Sequence, residues 1–408
     1  MSIYSIAVKL FEKLAETAKE YGNLTPTEAV VKKRSKIAKD KYRGNMSLTE
    51  FVIPEGVVKI GDHAFRECKN LTRVTFPSTL EEIGYHAFHD CESLAEVRFP
   101  PSLRRIDSNA FTGCNAITEV VVPEGVTFMG NGAFSECISL VSAVLPKSLN
   151  GTEIHGGIFW GCRALENVTF PKRIKGSFAN VFPHCEALRS FEIPYGADEI
   201  GSFTFEYCSS LESLVIPDTV KKISHRAVLS CTSLKEIFIP DSVEKIAALC
   251  TFQRCESLSK VRLPLSCVFF DPFKDEPADD KAAECFYECH ELHTVEMCGR
   301  EFHIGKMCDE ALLLIRAELA ADGSDEALKM VLPKFSELFT VLANEERTEL
   351  ADKLLSRLTQ EDVRRDDLLA AIDYAAMTGA HQIYLLLVHF ACLGENPDPD
   401  DVRKWFEL

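Results

Sequence analysis

Between residues 285 and 308 the sequence reads CFYECHELHTVEMCGREFHIGKMC, which crowds Cys285, Cys289, His290, His293, Cys298, His303 and Cys308 together. Thiolate and imidazole are the ligands zinc prefers, and four of them converging tetrahedrally make a structural site. The spacing argues against one here. There is no C-x-x-C knuckle, Cys289 belongs to a regular ladder that points inward, and His293 falls on a predicted strand. Ordinary packing is the expectation, with no metal and no cofactor. His63 and His86 lie 23 residues apart and are expected to stack on the surface rather than hold a ligand. The chain has no glycine-rich phosphate loop, no G-x-S-x-G elbow and no Ser/His/Asp pattern that stands out. The expectation is a protein that is not an enzyme.

Ten cysteines, Cys289 among them, follow a different logic. Cys68, Cys91, Cys114, Cys137, Cys162, Cys185, Cys208, Cys231, Cys255 and Cys289 recur at gaps of 23, 23, 23, 25, 23, 23, 23, 24 and 34. Each is followed three residues later by Leu or Ile. All but one have Phe three residues before, the exception being Val228. All but one have Pro nine residues after, the exception being Cys298. The phrase is I-x-x-x-A-F-x-x-C-x-x-L-x-x-V-x-[FIVL]-P. Its closing part, such as Leu71, Val74 and Phe76, alternates inward residues along a short strand that Pro then ends. The stretch from Val57 to Phe65 has apolar residues at uneven spacing and fits a short helical or turn-like return. One strand and one return per 23 residues make a solenoid coil, and like strands stack in parallel. NMSLTEFVIP is a degenerate first unit, with Asn45 at the cysteine position and Ile37 and Tyr42 at the Ile and Phe positions.

This unit resembles the BspA-like class of leucine-rich repeat over roughly residues 37–298, in phrase, period and Asn/Cys position. The resemblance implies an α/β fold: a leucine-rich repeat solenoid with a parallel β-sheet of about 11 strands and helical caps at both ends. It also implies that the Asn/Cys position holds a buried side chain bonded to backbone of its own or the neighbouring coil. Relatives with this repeat are bacterial-type proteins that often bind host or partner proteins at a surface.

Equivalent cysteines in stacked coils lie about 4.8 Å apart with parallel side-chain vectors, which does not meet disulfide geometry. Each thiol is expected to be buried, protonated and inert, Cys137 and Cys162 included, with its S–H reaching a nearby carbonyl.

The elements around the array divide the chain into 1–46, an N-terminal helical cap; 47–305, the solenoid with an acidic insertion at 265–284; and 306–408, a C-terminal α-helical domain or cap. Residues 3–21 carry one apolar helical face, and TPTE opens a second helix at Thr25. The insertion reads as a surface loop or, alternatively, as a partner-contacting element on one rim of the solenoid. Ser324, Asn344 and Thr359 are expected helix N-caps, Asp362 closing a box with Thr359. Four to six helices are expected, with Ala375, Gly379, Ile383 and Leu387 placed much as in one ankyrin helix pair.

The net charge of −17 over 408 residues argues against a general nucleic-acid or anionic-membrane binder, since phosphate binding needs a basic surface. Residues 1–47 hold ten basic against five acidic side chains and residues 309–408 hold ten against twenty-one. The basic run Lys32 to Lys41 is read as a solvated helix face. No stretch reaches the ~18 uncharged apolar residues of a membrane span, and the N-terminus lacks a basic leader before an apolar run. These features set the expectation of a cytoplasmic location, with the cell surface as the alternative, and of a monomer or weak self-association.

Function then falls to the variable strand positions that flank each inward residue. The early coils are charged there and the middle ones small or apolar. Val121, Val144, Asn167, Val215 and Phe238 are the expected contacts for a protein or peptide partner, Phe238 foremost. The chain reads as a non-enzymatic interaction scaffold, or alternatively as a cell-surface or secreted adhesin of the BspA type.

Overall fold

A computed structural model describes residues 35–151, 154, 156–274, 276–277 and 282–392. The expected N-terminal helices lie outside the described residues, as do Thr25, Lys32, Lys33 and Arg34. The rest of the basic run is no helix face, since Lys36 sits on the strand Ser35–Ile37, which pairs in parallel with Val57–Ile60 and begins the back ribbon within the expected helical cap.

The repeat folds as a solenoid, but each coil carries two strands rather than one. The closing part of the phrase builds a front ribbon of short strands: Glu50–Val52, Arg73–Thr75, Glu119–Val121, Ser142–Val144, Asn167–Thr169, Ser190–Glu192, Ser213–Val215, Glu236–Phe238, Lys260–Arg262 and Thr294–Met297. An isolated bridge from Arg73 to Glu96 marks the coil between the second and third. The return, expected to be helical or a turn, contributes a back ribbon. It stacks Val57–Ile60, Glu82–Ile83, Arg105–Ile106 and Phe128–Met129, and then Arg173–Phe178, Tyr195–Ile200, Lys222–Ile223, Lys245–Ala247 and Val268–Asp271. A coil of about 23 residues is too narrow to satisfy its own backbone groups, so the return must pair sideways with its neighbours, and two residues per coil suffice. The Ile of the phrase is the inward residue of this ribbon: Ile37, Ile60, Ile83 and Ile106 lie in register. Both ribbons are parallel along the array. Each ends in an antiparallel strand, Glu276–Pro277 on the back and Arg300–His303 on the front. These cover edges that would otherwise template aggregation. The segment after residue 265, expected to be a loop, thus supplies a back-ribbon strand and its edge cover.

A third wall closes the coil without any strand. At the residue before A-F and at the residue before Cys, the backbone turns left-handed in coil after coil, as at His63 and Glu67, His86 and Asp90, and Phe203 and Tyr207. Such conformations cost on the order of 1 kcal/mol outside glycine. They are offset because they aim alternate N–H groups at the next coil: His63 to Tyr85 O at 2.8 Å, Phe65 to Ala87 O at 2.8 Å and Glu67 to His89 O at 2.7 Å. The Phe65 carbonyl is also bonded to the next coil. The Cys91 thiol of the next coil donates to it at 3.2 Å, and the same bond recurs from Cys68, which donates to Tyr42 O, through Cys289, which donates to Phe252 O. The Phe65 carbonyl also accepts the Cys68 N–H of its own coil at 3.1 Å, so the thiol adds a second donor that ties neighbouring coils. At Asn45, Oδ1 instead accepts from the Ser47 N–H at 3.0 Å, within its own coil. A second side-chain column does the same work on the opposite edge. Thr79 donates to Val57 O at 2.9 Å, Thr219 to Ala197 O at 2.8 Å and Ser242 to Val220 O at 2.8 Å.

The core is a column of stacked phenylalanines. Phe65, Phe88, Phe111 and Phe134 lie nearly parallel, with ring centroids 5.0, 5.2 and 5.3 Å apart, and each is fully buried. Each contributes about 1.5–3 kcal/mol from burial. Tyr42 stacks on Phe65 at 5.1 Å, as its place in the degenerate unit requires.

Six α-helices follow: α1 (Asp309–Ala321), α2 (Asp325–Val331), α3 (Phe335–Asn344), α4 (Thr348–Leu355), α5 (Arg365–Thr378) and α6 (His381–Cys392). The solenoid core runs on into this region without a break. Arg316 of α1 donates to the carbonyls of Cys267 at 3.1 Å and Leu265 at 3.5 Å, tying the helices to the last coils. Burial pushes its guanidinium below the usual range. Ser324 caps α2 as expected, its Oγ accepting from the Ala327 N–H at 3.1 Å. The Thr359–Asp362 box forms on a short 3-10 turn rather than an α-helix. Asn344 does not cap a helix. It is the last residue of α3, and α4 begins after Arg347, because the chain needs three residues to reverse. Gly379 ends α5 in the left-handed conformation, while Ala375, Ile383 and Leu387 are buried.

Candidate partner-binding face

In each front strand the central residue turns inward and its two neighbours face out. The pattern exposed–buried–exposed holds at Arg73–Thr75, Glu119–Val121, Ser190–Glu192, Ser213–Val215 and Glu236–Phe238. Pleating makes this unavoidable once the central Val or Leu joins the core. The parallel register brings the second flanking residue of each coil into one column. Val121 lies beside Val144, and Val144 beside Thr169. Val121 is 52% exposed, Val144 38%, Val215 52% and Phe238 54%. The other column holds Ser142, Asn167, Ser190 and Ser213 in the middle coils, so small polar groups run alongside the apolar stripe.

Two adjoining clefts open on this face. One of about 490 Å³ is lined by Val215, Phe238, Lys260, Arg262 and Glu296, among others. The second, of about 820 Å³, shares Ser213 and Val215 with it and extends to Val168, Phe170, Lys172, Arg173 and Tyr195. Phe238, chosen from sequence as the foremost contact, is covered on one side. The Arg262 guanidinium sits 3.9 Å from its ring centre and also reaches Asp241 at 3.1 Å. Lys260 is held between Glu296 at 3.0 Å and Glu301 at 2.6 Å. Lys260, Arg262, Thr294 and Glu296 occupy the flanking positions of the next two strands, as strand phase predicts, and give Phe238 a charged border.

The residues that could have done chemistry are placed otherwise. Cys285 is buried, and burial raises its thiol well above the ordinary range. Cys308 caps α1, accepting from the Ala311 N–H at 3.4 Å. His293 and His303 both face the Thr294 hydroxyl, at 3.0 and 3.4 Å. Cys298 is exposed in the turn before Arg300–His303. Among the described residues no three His, Cys, Asp or Glu side chains are arranged to hold a metal ion. His63 and His86 stack with centroids 5.3 Å apart, and His89 joins at 4.5 Å from His86. The two Nδ1 atoms of His63 and His86 are buried and have no hydrogen-bond partner. Burial, reinforced by the neighbouring His89, His63 and Arg66, lowers the His86 pKa to about 4. The ladder thiols from Cys68 to Cys255 are shifted upward chiefly by burial, Cys137 to about 12, and Cys289 is raised by its contact with Cys255 and by burial. None of the described cysteines forms a disulfide.

A two-ribbon parallel solenoid with a buried thiol ladder and one face left open defines a repeat protein. The model for the BspA type leucine rich repeat region matches residues 35–151 and 152–272, more than half of the chain, and the chain belongs to that family. Similar solved structures include a leucine-rich repeat protein of T. pallidum, 37% identical over 38% of this chain and 71% of that one, with a TM-score of 0.36. A leucine-rich repeat protein of Bacteroides ovatus is 27% identical over 64% of this chain and 81% of its own, with a TM-score of 0.31. A leucine rich cell surface protein of Faecalibacterium prausnitzii is 24% identical over 65% and 83%, with a TM-score of 0.37. Among curated proteins none matches the chain. No described helix is long and apolar enough to cross a membrane.

Proposed function

We propose that this chain is a non-enzymatic interaction scaffold that receives a polypeptide on the front ribbon, through Val121, Val144, Asn167, Val215 and Phe238. The observation that carries this reading is the exposed apolar column beside small polar residues, flanked by charged coils at both ends. Burying such side chains against a partner contributes about 25 cal/mol per Å² of apolar surface, while the rim charges set register more than affinity. The helical region closes the end of the array in this reading.

The test is capture by the purified chain, compared with the triple variant V144E/V215E/F238E. Partner recovery is expected to fall at least about tenfold, since three charges would be buried unpaired. Thermal unfolding is expected to stay close to wild type, because all three side chains point to solvent. Undiminished recovery would exclude the face. The same surface would serve inside a cell or, in the adhesin alternative, outside one. Fractionation of the native host separates these locations.

A further inference from the structure

The hydrogen-bonded ladder of the front ribbon is interrupted at several places, and one interruption lies in its middle. A hydrogen-bonded ladder joins Ser142–Val144 to Asn167–Thr169, and another joins Ser190–Glu192 to Ser213–Val215, but none joins Asn167–Thr169 to Ser190–Glu192. These two strands stand farther apart than paired neighbours do. The register shows which backbone groups the gap leaves unpaired. The Asn167 N–H donates to Val141 O at 3.2 Å, and the Thr169 carbonyl accepts from the Leu145 N–H at 2.8 Å, so both residues face the preceding strand. Alternation along a parallel strand then turns the Val168 N–H and C=O toward the gap. On the far side, Arg189 O and the Ile193 N–H serve the following strand, which leaves Ser190 and Glu192 facing Val168.

Burial gives an independent sign of the opening. The inward residue of a front strand is buried throughout the middle of the array, yet Val168 is only half-buried, as Phe51 is in the first front strand. Mid-array, this coil behaves like a terminus. Phe170 and Phe191 floor the gap with ring centroids 5.6 Å apart. The 820 Å³ cleft lies directly over it. Its charged lining is Lys172, Arg173 and Glu192, and Lys175 is exposed one step along the back strand. Arg173 lies over the Tyr195 ring at 5.0 Å, and none of the three cations makes an ion pair with a described residue. In a chain of net charge −17, two unpaired cations lining an open seam, with a third exposed two residues on, are a local reversal of sign.

We infer that this seam is a docking slot for an acidic polypeptide segment in extended conformation, which pairs with the free strand edges at Val168, Ser190 and Glu192 and sets its carboxylates against Lys172, Arg173 and Lys175. Main-chain pairing supplies affinity in such strand addition, and the alternate side chains supply selection. The inference rests on the front face receiving a polypeptide, and it names the chemistry of that polypeptide.

The test uses fluorescein-labelled dodecapeptides and anisotropy with the full chain. An alternating Glu-Val peptide is expected to bind at least about tenfold more tightly than an alternating Lys-Val peptide. N-methylation of every second residue of the Glu-Val peptide is expected to cost at least about tenfold, because it removes the strand donors. The variant K172E/R173E/K175E is expected to invert the preference while unfolding at the wild-type temperature. Equal binding of the two peptides, indifference to N-methylation, or no binding at all would overturn the slot. A second copy of this chain in the seam would also overturn it; sedimentation would then show a dimer that the triple variant loses. The variant V121E/V144E/F238E, which leaves the seam untouched, separates the two readings. If it captures partner normally while the peptide still binds the seam, the broad face fails and the slot stands. If it loses partner capture and the Glu-Val peptide never binds, the slot alone fails.

Discussion

The two ribbons are built from the same coils at the same spacing, yet they treat their exposed side chains in opposite ways. On the back ribbon, neighbouring coils complement one another. Lys59 reaches Glu82 at 2.7 Å, the Arg105 guanidinium lies 3.6 Å from the Phe128 ring centre, and Lys222 stands between Glu199 at 3.8 Å and the Phe270 ring at 4.9 Å. On the front ribbon, Val121, Val144 and Val215 remain exposed, and only Phe238 is covered, by Arg262. The back ribbon thus uses its surface to hold the stack together. On the front ribbon such contacts gather at the last strands, where Lys260 and Arg262 reach Glu296 at 3.0 and 3.6 Å, and the apolar positions of the middle coils are left exposed. That division lets a repeat protein change partners without renegotiating its fold.

Both ribbons lean on the phenylalanine column, so the substitution with the largest effect should not distinguish them. Phe111 is fully buried between Phe88 and Phe134. Phe111→Ala is expected to cost about 3–5 kcal/mol of unfolding free energy, read from urea midpoints, because the rigid coils above and below cannot collapse into the cavity. A loss below about 1 kcal/mol would mean that the ribbons, not the column, hold the array.

Acid should act next, through the wall that joins the ribbons. The fold holds His86 at about 4, below the ordinary imidazole value of 6.5, so it favours the neutral ring. The stability tied to this group is therefore full above pH 6.5 and is lost as pH falls toward 4, where the folded protein must take up a proton between His63 and His89. With allowance for the solvent that reaches the ring, the loss is about 1–2 kcal/mol. His63 and His225 are shifted the same way, both chiefly by burial. His86→Asn places the residue type found at Asn109 in the same left-handed position one coil on, and it is expected to flatten the decline of melting temperature between pH 6.5 and 4. An unchanged slope would assign the acid sensitivity elsewhere.

Period, strand phase and inward residues were legible in the sequence because each coil repeats one physical problem and solves it with the same residues. The cysteine is the clearest case. Its burial, its failure to form disulfides and its bond to a carbonyl all follow from stacking at strand spacing. A thiol reagent should accordingly label Cys298 in the native protein and leave Cys137 and Cys162 unreacted until denaturant is added; prompt labelling of either would contradict the burial. The back ribbon was not legible, since two-residue strands such as Glu82–Ile83 carry no alternation to detect. Nor was the seam at Val168, because the phrase around Cys162 and Cys185 stays regular in type, and only the gap of 25 before it departs from the common spacing. The exposed apolar column could be read from strand phase. The covering of Phe238 by Arg262 could not, since it depends on a rotamer and on Asp241 at the next turn.

The smallest predicted effect tests the contrast between the ribbons most directly, because the same substitution is made on each. Glu82 on the back ribbon is half-buried and accepts from Lys59, and its strand also pairs with that of Arg105. Glu82→Lys would put three cations on successive coils at about 4.8 Å, and is expected to cost about 0.5–1 kcal/mol at low salt. Glu119 on the front ribbon is exposed and makes no ion pair with a described residue. Its register neighbour is Ser142, and Glu119→Lys is expected to stay within about 0.5 kcal/mol of wild type. Raising ionic strength toward 1 M shortens the screening length to roughly 3 Å and should shrink the first effect while leaving the second where it was. Equal costs for the two variants, measured by thermal unfolding at both salt concentrations, would show that charge complementarity is not what separates the ribbons.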